Sequence, residues 1–377
     1  MLEQLKPYHN KLNFSTQHQQ IALTLLSGIG SKRARIIASY FKDLTTFFEE
    51  KKLDLSKLPG VTAEMIKSKQ RRLALERADE VLEYLEKIGA NTLFLTDTDY
   101  PKKLKQCDDA PILLYSKGNV DWTARKTVAI VGTRAMTNYG KLLTEELVDR
   151  LSSAGAVIVS GMAYGIDICS HKRAIANNAE TWGVLGHGLD QLYPAVHRKI
   201  AERMFETGGL ISEFIPGTKI EPGNFPMRNR IVAGLCDATV VVESGVTGGS
   251  MITANLARDY NREVFAFPGD IGKQSSSGCL KLIRENIAAL VQNGGDVLES
   301  LDWKFDRKIE SKQAKLFENL SRQEEYIIDA LQQKQQLNID SIGFLTKLPL
   351  QDIAAHLLQL EFKGIIRSLP GRRYALV

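Results

Sequence analysis

The sequence predicts an α/β protein whose main domain is a doubly wound parallel sheet. Between Thr127 and about residue 300, short apolar runs recur, and each is followed by a segment of helix length. Several runs are almost wholly hydrophobic, as expected for strands that are buried on both faces of a parallel sheet. Strands that alternate with helices favour a doubly wound sheet, whose ligands bind at the carboxyl ends of the strands. The runs are TVAIVG, AVIVSG, TWGVLG, GLISEF, ATVVVES and EVFAFPG.

The segment before this sheet, residues 1–107, is predicted to be a helical domain. The break Gly28-Ile29-Gly30 separates two stretches with helical periodicity, and Ser31 follows it as a helix cap. This arrangement predicts a helix-hairpin-helix, and a second copy follows with Thr62 at the second glycine position. Backbone N–H groups of such a hairpin can face a DNA phosphate without reading sequence. Because only one copy is intact, we favour a scaffold role over DNA contact.

The segment after the sheet is predicted to be a linker, residues 301–318, and a winged helix, residues 319–377. The linker is charged and lacks strand signals, whereas the last segment contains three amphipathic helices and a two-strand tail that turns at Pro370-Gly371. A winged helix can bind DNA or protein. Its expected recognition helix, Leu350 to Phe362, carries Asp352 and Glu361 and no arginine. We therefore favour a protein contact or a structural role for this module.

The composition is that of an ordinary globular protein. The 377 residues are 44% hydrophobic and 25% charged, and the net charge of +5 permits a polyanionic partner without requiring one. The sequence predicts no membrane segment and no signal peptide. Its four cysteines are widely separated, which argues against disulfides and zinc and favours a cytoplasmic location. They are Cys107, Cys169, Cys236 and Cys279.

Catalytic motifs are missing from the strand ends, so the sequence predicts a binding protein without catalytic residues, cofactor or metal. Ser160 follows a strand, but Ile158 and Met162 occupy the glycine positions of a hydrolase elbow. Neither a P-loop nor a zinc-protease motif occurs. A nicotinamide enzyme would need an acidic residue at the end of the second strand, which ends instead in Ser160-Gly161.

The stretch TVAIVGTRAMTNYG, from Thr127 to Gly140, predicts a strand that ends at Gly132, a polar turn and a helix. Such an arrangement usually holds a phosphate at the helix N-terminus. Arg134 stands where a dinucleotide-binding loop would have its second glycine. An arginine at this position suits an open-ended polyanion better than an enclosed pyrophosphate, and such binding would depend strongly on salt.

Further phosphate-binding candidates lie in three other loops. Glycines let a backbone approach closely, and the freed N–H groups form an anion-binding nest. Two arginines flank an asparagine in FPMRNRI; because residues two apart on a helix point in different directions, one can reach the pocket while the other serves a neighbouring phosphate or an ion pair. His171 is expected to make a structural hydrogen bond. The candidates are Ser160, Gly161, Arg228, Asn229, Arg230, Gly248, Gly249 and Ser250.

Taken together, these motifs resemble the DNA-processing protein A family (DprA, also called Smf). The matching stretches span roughly residues 99 to 293 and include VAIVGTRAMTNYG, VSGMAYGIDICSH, FPMRNRIVAGL and VVESGVTGGSMITANLA. The resemblance implies an extended Rossmann-like domain at residues 108–300 that dimerises. It also implies a non-catalytic protein that binds and shields incoming single-stranded DNA in natural transformation and loads the RecA recombinase. One departure is Cys279-Leu280, where the family usually has an asparagine.

Two other readings stay open on the sequence. A nucleoside-monophosphate phosphoribohydrolase has a similar glycine pair, but it needs a glutamate where this chain has Asn255, which cannot serve as an acid or base. A protein-binding adaptor with a vestigial pocket is favoured if the arginines are paired internally. If DNA binds, bases could stack on Tyr139, Tyr164 or Phe225, which would favour single strands over duplex.

Overall fold

The computed structural model divides the chain into two compact units, Met1–Asp306 and Arg307–Val377. The predicted linker falls mostly on residues 304–319 and the turn Pro370-Gly371 on residues 370–372, both outside the described residues. None of the described helices is long and apolar enough to cross a membrane. The structure describes residues 16–41, 43–50, 53–54, 57–303, 320–333, 336–363, 365–369 and 373–376.

Helices form the beginning of the first unit, as the sequence predicts. The chain reaches the second helix through Gly28, which has a φ of 80° that side chains other than glycine rarely adopt. Arg33 ties this turn to the second hairpin, because its guanidinium donates to the carbonyl oxygens of Gly28 and Gly60, each at 2.7 Å. The helices are α1 (Thr16–Thr24), α2 (Ser31–Tyr40), α3 (Leu44–Glu49) and α4 (Ser68–Ile88).

A sheet of nine strands forms the centre of the first unit's described residues. The strands are β1 (Ala90–Phe94), β2 (Leu113–Gly118), β3 (Thr127–Val131), β4 (Val157–Ser160), β5 (Thr181–Leu185), β6 (Gly209–Ser212), β7 (Ala238–Val241), β8 (Glu263–Ala266) and β9 (Ala289–Leu290). Their order is β1-β2-β6-β5-β4-β3-β7-β8-β9. The pairings from β6 to β9 along this order are parallel, so the predicted Rossmann-like sheet is confirmed.

The helices that follow the strands connect them in the doubly wound manner. Every residue of β3, β4 and β5 is buried, as their continuous apolar sequences predict. The helices are α5 (Lys102–Lys105), α6 (Asn138–Ser153), α7 (Ile166–Ala176), α8 (Arg198–Met204), α9 (Asn224–Leu235), α10 (Gly249–Asp259), α11 (Gln274–Arg284) and α12 (Gly294–Ser300).

The sheet begins earlier in the chain than the predicted boundary at residue 107. Gly89, with a φ of 64°, ends α4 and turns the chain into β1, which pairs antiparallel with β2. Strand β2 in turn pairs antiparallel with β6. A single hydrophobic core joins Ile21 of the helical segment to Trp182 of the sheet. The segment that was predicted to be wholly helical thus contributes an edge strand. The sequence did not predict this strand, because it is only five residues long and only two of them are buried.

The direction of winding reverses between β3 and β7. From β3 the chain adds β4, β5 and β6 on one side, and it then crosses to β7 on the other side of β3. In an open parallel sheet, this reversal separates two neighbouring loops and leaves a crevice at the carboxyl ends of the strands. The crevice is the expected binding position.

The second unit has the predicted winged-helix arrangement, and it packs around its own hydrophobic core. Its helices match the three predicted ones, and the last helix covers the predicted range from Leu350 to Phe362. A short strand, absent from the prediction, completes an antiparallel sheet of three strands in the described part of this unit. The elements are α13 (Arg322–Gln333), β10 (Leu337–Asn338), α14 (Ile339–Thr346), α15 (Leu350–Phe362), β11 (Ile366–Leu369) and β12 (Arg373–Leu376).

Candidate functional site

A cleft of about 1430 Å³, open to solvent at its mouth, lies at the point where the winding reverses. Its walls come from the loops after β3, β4 and β7 and from the first turns of α9 and α10. Eight of the ten residues predicted from the sequence line this cleft. They are Gly132, Arg134, Gly161, Arg228, Asn229, Gly248, Gly249 and Ser250.

Arg228 forms the floor of the cleft. Its side chain is buried, and its Nη1 donates to the carbonyl oxygen of Val184 at 2.9 Å, but its Nε has no hydrogen-bond partner in the described structure. Gly161 is required beside it, because a Cβ there would overlap the guanidinium. Burial lowers the pKa of Arg228, and the nearby Arg134 lowers it further, whereas Asp167 opposes the shift.

Arg134 stands at the mouth of the cleft. Its side chain is exposed, and its guanidinium carbon lies 6.0 Å from the ring centre of Phe225, within cation–π range. Among the described residues it forms no ion pair shorter than 4.0 Å. Gly165, with a φ of 77°, lets the next loop pass against the backbone of Arg134. The guanidinium is therefore held near the cleft with its donors accessible to a ligand.

The N-terminus of α10 forms the opposite wall. Gly248 caps the helix in an extended conformation without a side-chain hydrogen bond, and Gly249 and Ser250 begin the first turn. The hydroxyl of Ser250 contacts that of Ser244 at 2.7 Å, and Nδ2 of Asn229 donates to the carbonyl oxygen of Gly249 at 3.3 Å. The first N–H groups of a helix have no intrahelical acceptor and carry partial positive charge, so this wall attracts anions.

The helix N-terminus after Gly132 is occupied by the protein itself, which corrects the expectation of a phosphate there. The Glu243 carboxylate accepts from the backbone N–H of Thr137 at 3.0 Å and from its hydroxyl at 2.6 Å. Gly140 leaves the room that this carboxylate needs. No residue of α6 lines the cleft. An internal carboxylate therefore takes the place of an external anion, and α10 supplies the open helix terminus instead.

Two predicted residues lie outside the cleft. Ser160 is fully buried, and its hydroxyl donates to the carbonyl oxygen of Ile130 at 2.6 Å, so it braces β4 against β3. Arg230 forms an ion pair with Glu213 and donates to the backbone carbonyl of Asp109. Of the two arginines on α9, Arg228 is the one that reaches the cleft, and Arg230 is the one in an internal ion pair.

A buried carboxylate was not predicted as part of the site. Asp167, in the first turn of α7, lines the cleft together with Arg134 and Arg228. Burial raises the pKa of Asp167, while Arg228 and a backbone hydrogen bond with Ala163 oppose this shift. An acidic residue in the first turn after a glycine loop is the sequence signal that could have pointed to it.

Aromatic rings border the cleft near Arg134. Tyr193, which the sequence analysis missed, packs against Phe225 with ring centres 6.0 Å apart, and both line the cleft. Tyr164 lines an adjoining pocket and is half exposed. Tyr139 does not line the cleft, and its hydroxyl donates to the carbonyl oxygen of Pro268 at 3.2 Å. Two of the three predicted rings therefore lie at the site.

His171 has the structural role expected for it. Its Nε2 donates to the carbonyl oxygen of Gly161 at 2.7 Å, and its Nδ1 contacts the Thr181 hydroxyl at 2.7 Å. Burial lowers the pKa of His171 to about 4, so the ring is neutral near pH 7. The ring therefore fixes the position of Gly161, whose backbone packs against the Arg228 guanidinium.

The sequence matches the model of a known family along this whole domain. The model of DNA recombination-mediator protein A matches residues 91–302, which is more than half of the chain. The chain belongs to the DprA family. A second model, that of the DprA winged helix domain, matches residues 312–372.

Individual relatives are similar over most of their length. Protein Smf of Synechocystis is 32% identical over 397 aligned positions, which cover 96% of this chain and 98% of the relative. DNA processing protein DprA of Streptococcus pneumoniae is 40% identical over 209 positions, which cover 55% of this chain and 73% of the relative.

Two solved structures share the fold. The X-ray structure of S. pneumoniae DprA has a TM-score of 0.63 and 32% identity, covering 77% of this chain and 99% of that one. DNA processing protein A of Helicobacter pylori, described for its single-stranded DNA binding mode, has a TM-score of 0.51 and 30% identity. It covers 57% of this chain and 97% of its own.

Proposed function

We propose that this chain binds single-stranded DNA in the cleft through the phosphodiester backbone, without reading base sequence. The observation that carries the proposal is the buried guanidinium group of Arg228, which lines a cleft bordered by the N-terminus of α10 and has one nitrogen, Nε, without a hydrogen-bond partner among the described residues. A buried positive charge is costly, and an anion bound in the cleft beside this guanidinium offsets part of that cost. A guanidinium and a helix N-terminus are both suited to phosphate.

The form of the cleft favours a strand over a small nucleotide. Arg134 is exposed at the mouth, so it can contact a phosphate that extends beyond the enclosed floor. Phe225 and Tyr193 offer ring faces beside it, and bases of a single strand can stack on such rings without sequence preference. Paired bases of a duplex are stacked on each other and cannot do so. The single-stranded DNA binding described for the H. pylori relative supports the same assignment.

The wider role that we propose follows from membership of the DprA family. The chain would shield incoming single-stranded DNA during natural transformation and load RecA onto it, without catalysing a reaction. It would act as a homodimer through the Rossmann-like domain, with the helical segment and the winged helix as further modules. Light scattering tests the dimer, and RecA filament formation on DNA already covered by a single-strand-binding protein tests the loading.

The proposal is tested by fluorescence anisotropy with a labelled oligothymidylate of about 35 nucleotides at several salt concentrations. We expect Arg134→Ala to weaken binding about tenfold and to reduce the salt slope by about one, because one phosphate contact is lost. The double variant Arg134→Ala with Arg228→Ala should lose nearly all binding. Arg258→Ala is the matched control, since Arg258 is exposed at the far end of α10 and contacts Asp259.

Three results would overturn this assignment. Wild-type protein could fail to bind the oligonucleotide, both arginine variants could bind like wild type, or duplex DNA could compete as well as single strands.

Asn255 donates to the backbone carbonyl of Met251 at 2.8 Å and does not line the cleft. If the protein does not bind the strand, an assay for hydrolysis of nucleoside monophosphates tests the phosphoribohydrolase hypothesis. If that assay is also negative, the protein-binding adaptor is the hypothesis that remains.

A further inference from the structure

One face of the last helix in the winged-helix unit is apolar and exposed. Leu358 and Phe362 are 56% and 85% exposed, and a spacing of four residues places them on the same side of α15. Ala354 and Ala355, one turn earlier, are also exposed. The core of the unit is filled from the other side of the helix, by Ile353, Leu357 and Leu360. A large phenylalanine side chain in water contributes nothing to the stability of this unit.

The charges on α15 itself are acidic. The range Leu350 to Phe362 contains Asp352 and Glu361 but neither lysine nor arginine. The first cation after it is Lys363, whose ammonium lies 2.7 Å from the carboxylate of Glu324. The neighbouring elements carry charges of both signs: α14 has Asp340 in its first turn and Lys347 directly after its last residue, and β11, which also packs against α15, carries Arg367.

These charges do not suit a duplex. Proteins gain most of their affinity for DNA from lysine and arginine contacts with phosphates, and a recognition helix lies close to two phosphate backbones. The carboxylates of Asp352 and Glu361 would face those phosphates with no cation on α15 to compensate. The face therefore has the apolar area of a binding surface but the wrong charge for nucleic acid.

We propose that this α15 face docks a protein partner that presents an apolar helix edged with lysine or arginine. An apolar stripe at spacings of three and four residues is the surface on which an amphipathic helix packs. The surrounding carboxylates select basic residues in the partner, because charge complementarity orients and accelerates association. The module then serves to recruit a protein, which is a function separate from strand binding in the cleft.

The test uses the full chain and a fluorescent amphipathic peptide of about 18 residues, with leucines at helical spacing and lysines elsewhere. We expect it to bind the wild type, and the double variant Leu358→Ser with Phe362→Ser to bind at least tenfold more weakly. Both side chains are exposed, so the variant should fold. Leu73→Ser, which removes a half-exposed leucine from α4, is the matched control and should bind like wild type.

Charge is tested separately. A peptide with glutamate in place of lysine should bind at least tenfold more weakly, and Asp352→Lys should weaken the lysine peptide several-fold. Equal binding of both peptides, or unchanged binding by the double variant, would overturn the proposal. So would binding of a labelled short duplex DNA that is lost in the double variant Leu358→Ser with Phe362→Ser. If light scattering shows a lower particle mass for the double variant than for the wild type, a second copy of this chain occupies the face instead, and the proposal is wrong.

Discussion

Arg228 and Arg230 are two residues apart on α9 and have opposite environments. A helix turns by about 100° per residue, so their side chains leave the helix on different sides. Arg228 lines the cleft, and Arg230 is paired with Glu213. Helical geometry alone predicts that only one can reach the pocket. The sequence could not tell which, because Glu213 and Asp109 lie far from α9 in sequence and meet it only in the folded chain.

The backbone of Gly249 gives a direct test of the cleft at the level of one residue. We predict that Gly249→Asp leaves the free energy of unfolding unchanged or raises it by up to about 1 kcal/mol, because a carboxylate stabilises a helix N-terminus. The same carboxylate should weaken oligothymidylate binding at least tenfold, since it competes for the N–H groups that a phosphate would use. Urea denaturation and anisotropy measure the two effects.

Gly249→Ala is the control for this change. A Cβ at this position would come no closer than 4.0 Å to Nδ2 of Asn229, so alanine should fit without strain. It should bind the oligonucleotide within about twofold of wild type. Strand affinity retained by the aspartate variant would place the DNA elsewhere.

Asp167 predicts a pH dependence of binding. Its carboxyl group lines the cleft in which we propose that DNA phosphates bind, and burial raises its pKa. As the pH falls through this raised pKa, protonation removes a negative charge that opposes the DNA, so affinity should rise. Arg134 and Arg228 are the charged groups that act on this carboxylate.

At a pH above the raised pKa of Asp167, Asp167→Asn should therefore bind the oligonucleotide about threefold to tenfold more tightly, because one nearby negative charge is lost. Its affinity should also change less with pH than that of the wild type over the range where Asp167 titrates. Anisotropy at a series of pH values and constant ionic strength measures both. Affinity below wild type at every pH would show that the carboxylate supports the site instead of opposing the ligand.

Among the elements, α6 and α10 both begin after a glycine-bearing strand end, and of these two helices α10 is the one whose N-terminus stays open to the cleft. The sequence pattern favoured α6, because a strand, Gly132 and a helix follow in the usual order. The structure closes α6 with Glu243, which lies 106 residues away from Thr137 in sequence. A contact of this separation has no local signal. The glycine pair before α10 was also a candidate from the sequence, and both glycines line the cleft.

The helical segment depends on a buried arginine whose importance the sequence does not reveal. Arg71 of α4 donates from Nε to the carbonyl oxygen of Ile66 at 3.0 Å and from Nη2 to that of Glu50 at 2.6 Å, and it also donates to that of Phe47. It thereby satisfies carbonyl groups at the ends of short helices and turns.

We predict that Arg71→Met lowers the free energy of unfolding by about 2–4 kcal/mol, because these buried carbonyl groups lose their donors. Arg72→Met is the control. Its guanidinium is exposed and lies 3.5 Å from the Glu76 carboxylate, so the change should cost no more than about 0.5 kcal/mol. Urea denaturation followed by circular dichroism measures both. Equal effects of the two changes would contradict the role assigned to Arg71.

At the scale of the whole molecule, chain topology assembles the site. Its residues come from loops that begin at Gly132, Gly161 and Ser244, and the order of the strands brings these loops to one edge of the sheet. Alternating strands and helices predicted this edge without any three-dimensional information. The antiparallel strands β1 and β2 were not predicted, because they depend on non-local contacts: β1 pairs with β2, β2 pairs with β6, and α1 packs against β2.

Photo-crosslinking tests most directly whether a bound DNA strand lies in the cleft. An oligothymidylate containing 5-iodouracil is bound to the full chain, irradiated and mapped by mass spectrometry. We predict crosslinks at Phe225, Tyr193 and Tyr164, the rings beside Arg134, and their loss in Arg134→Ala. Crosslinks confined to the helical segment or the winged-helix unit would contradict the assignment of the cleft as the DNA-binding site.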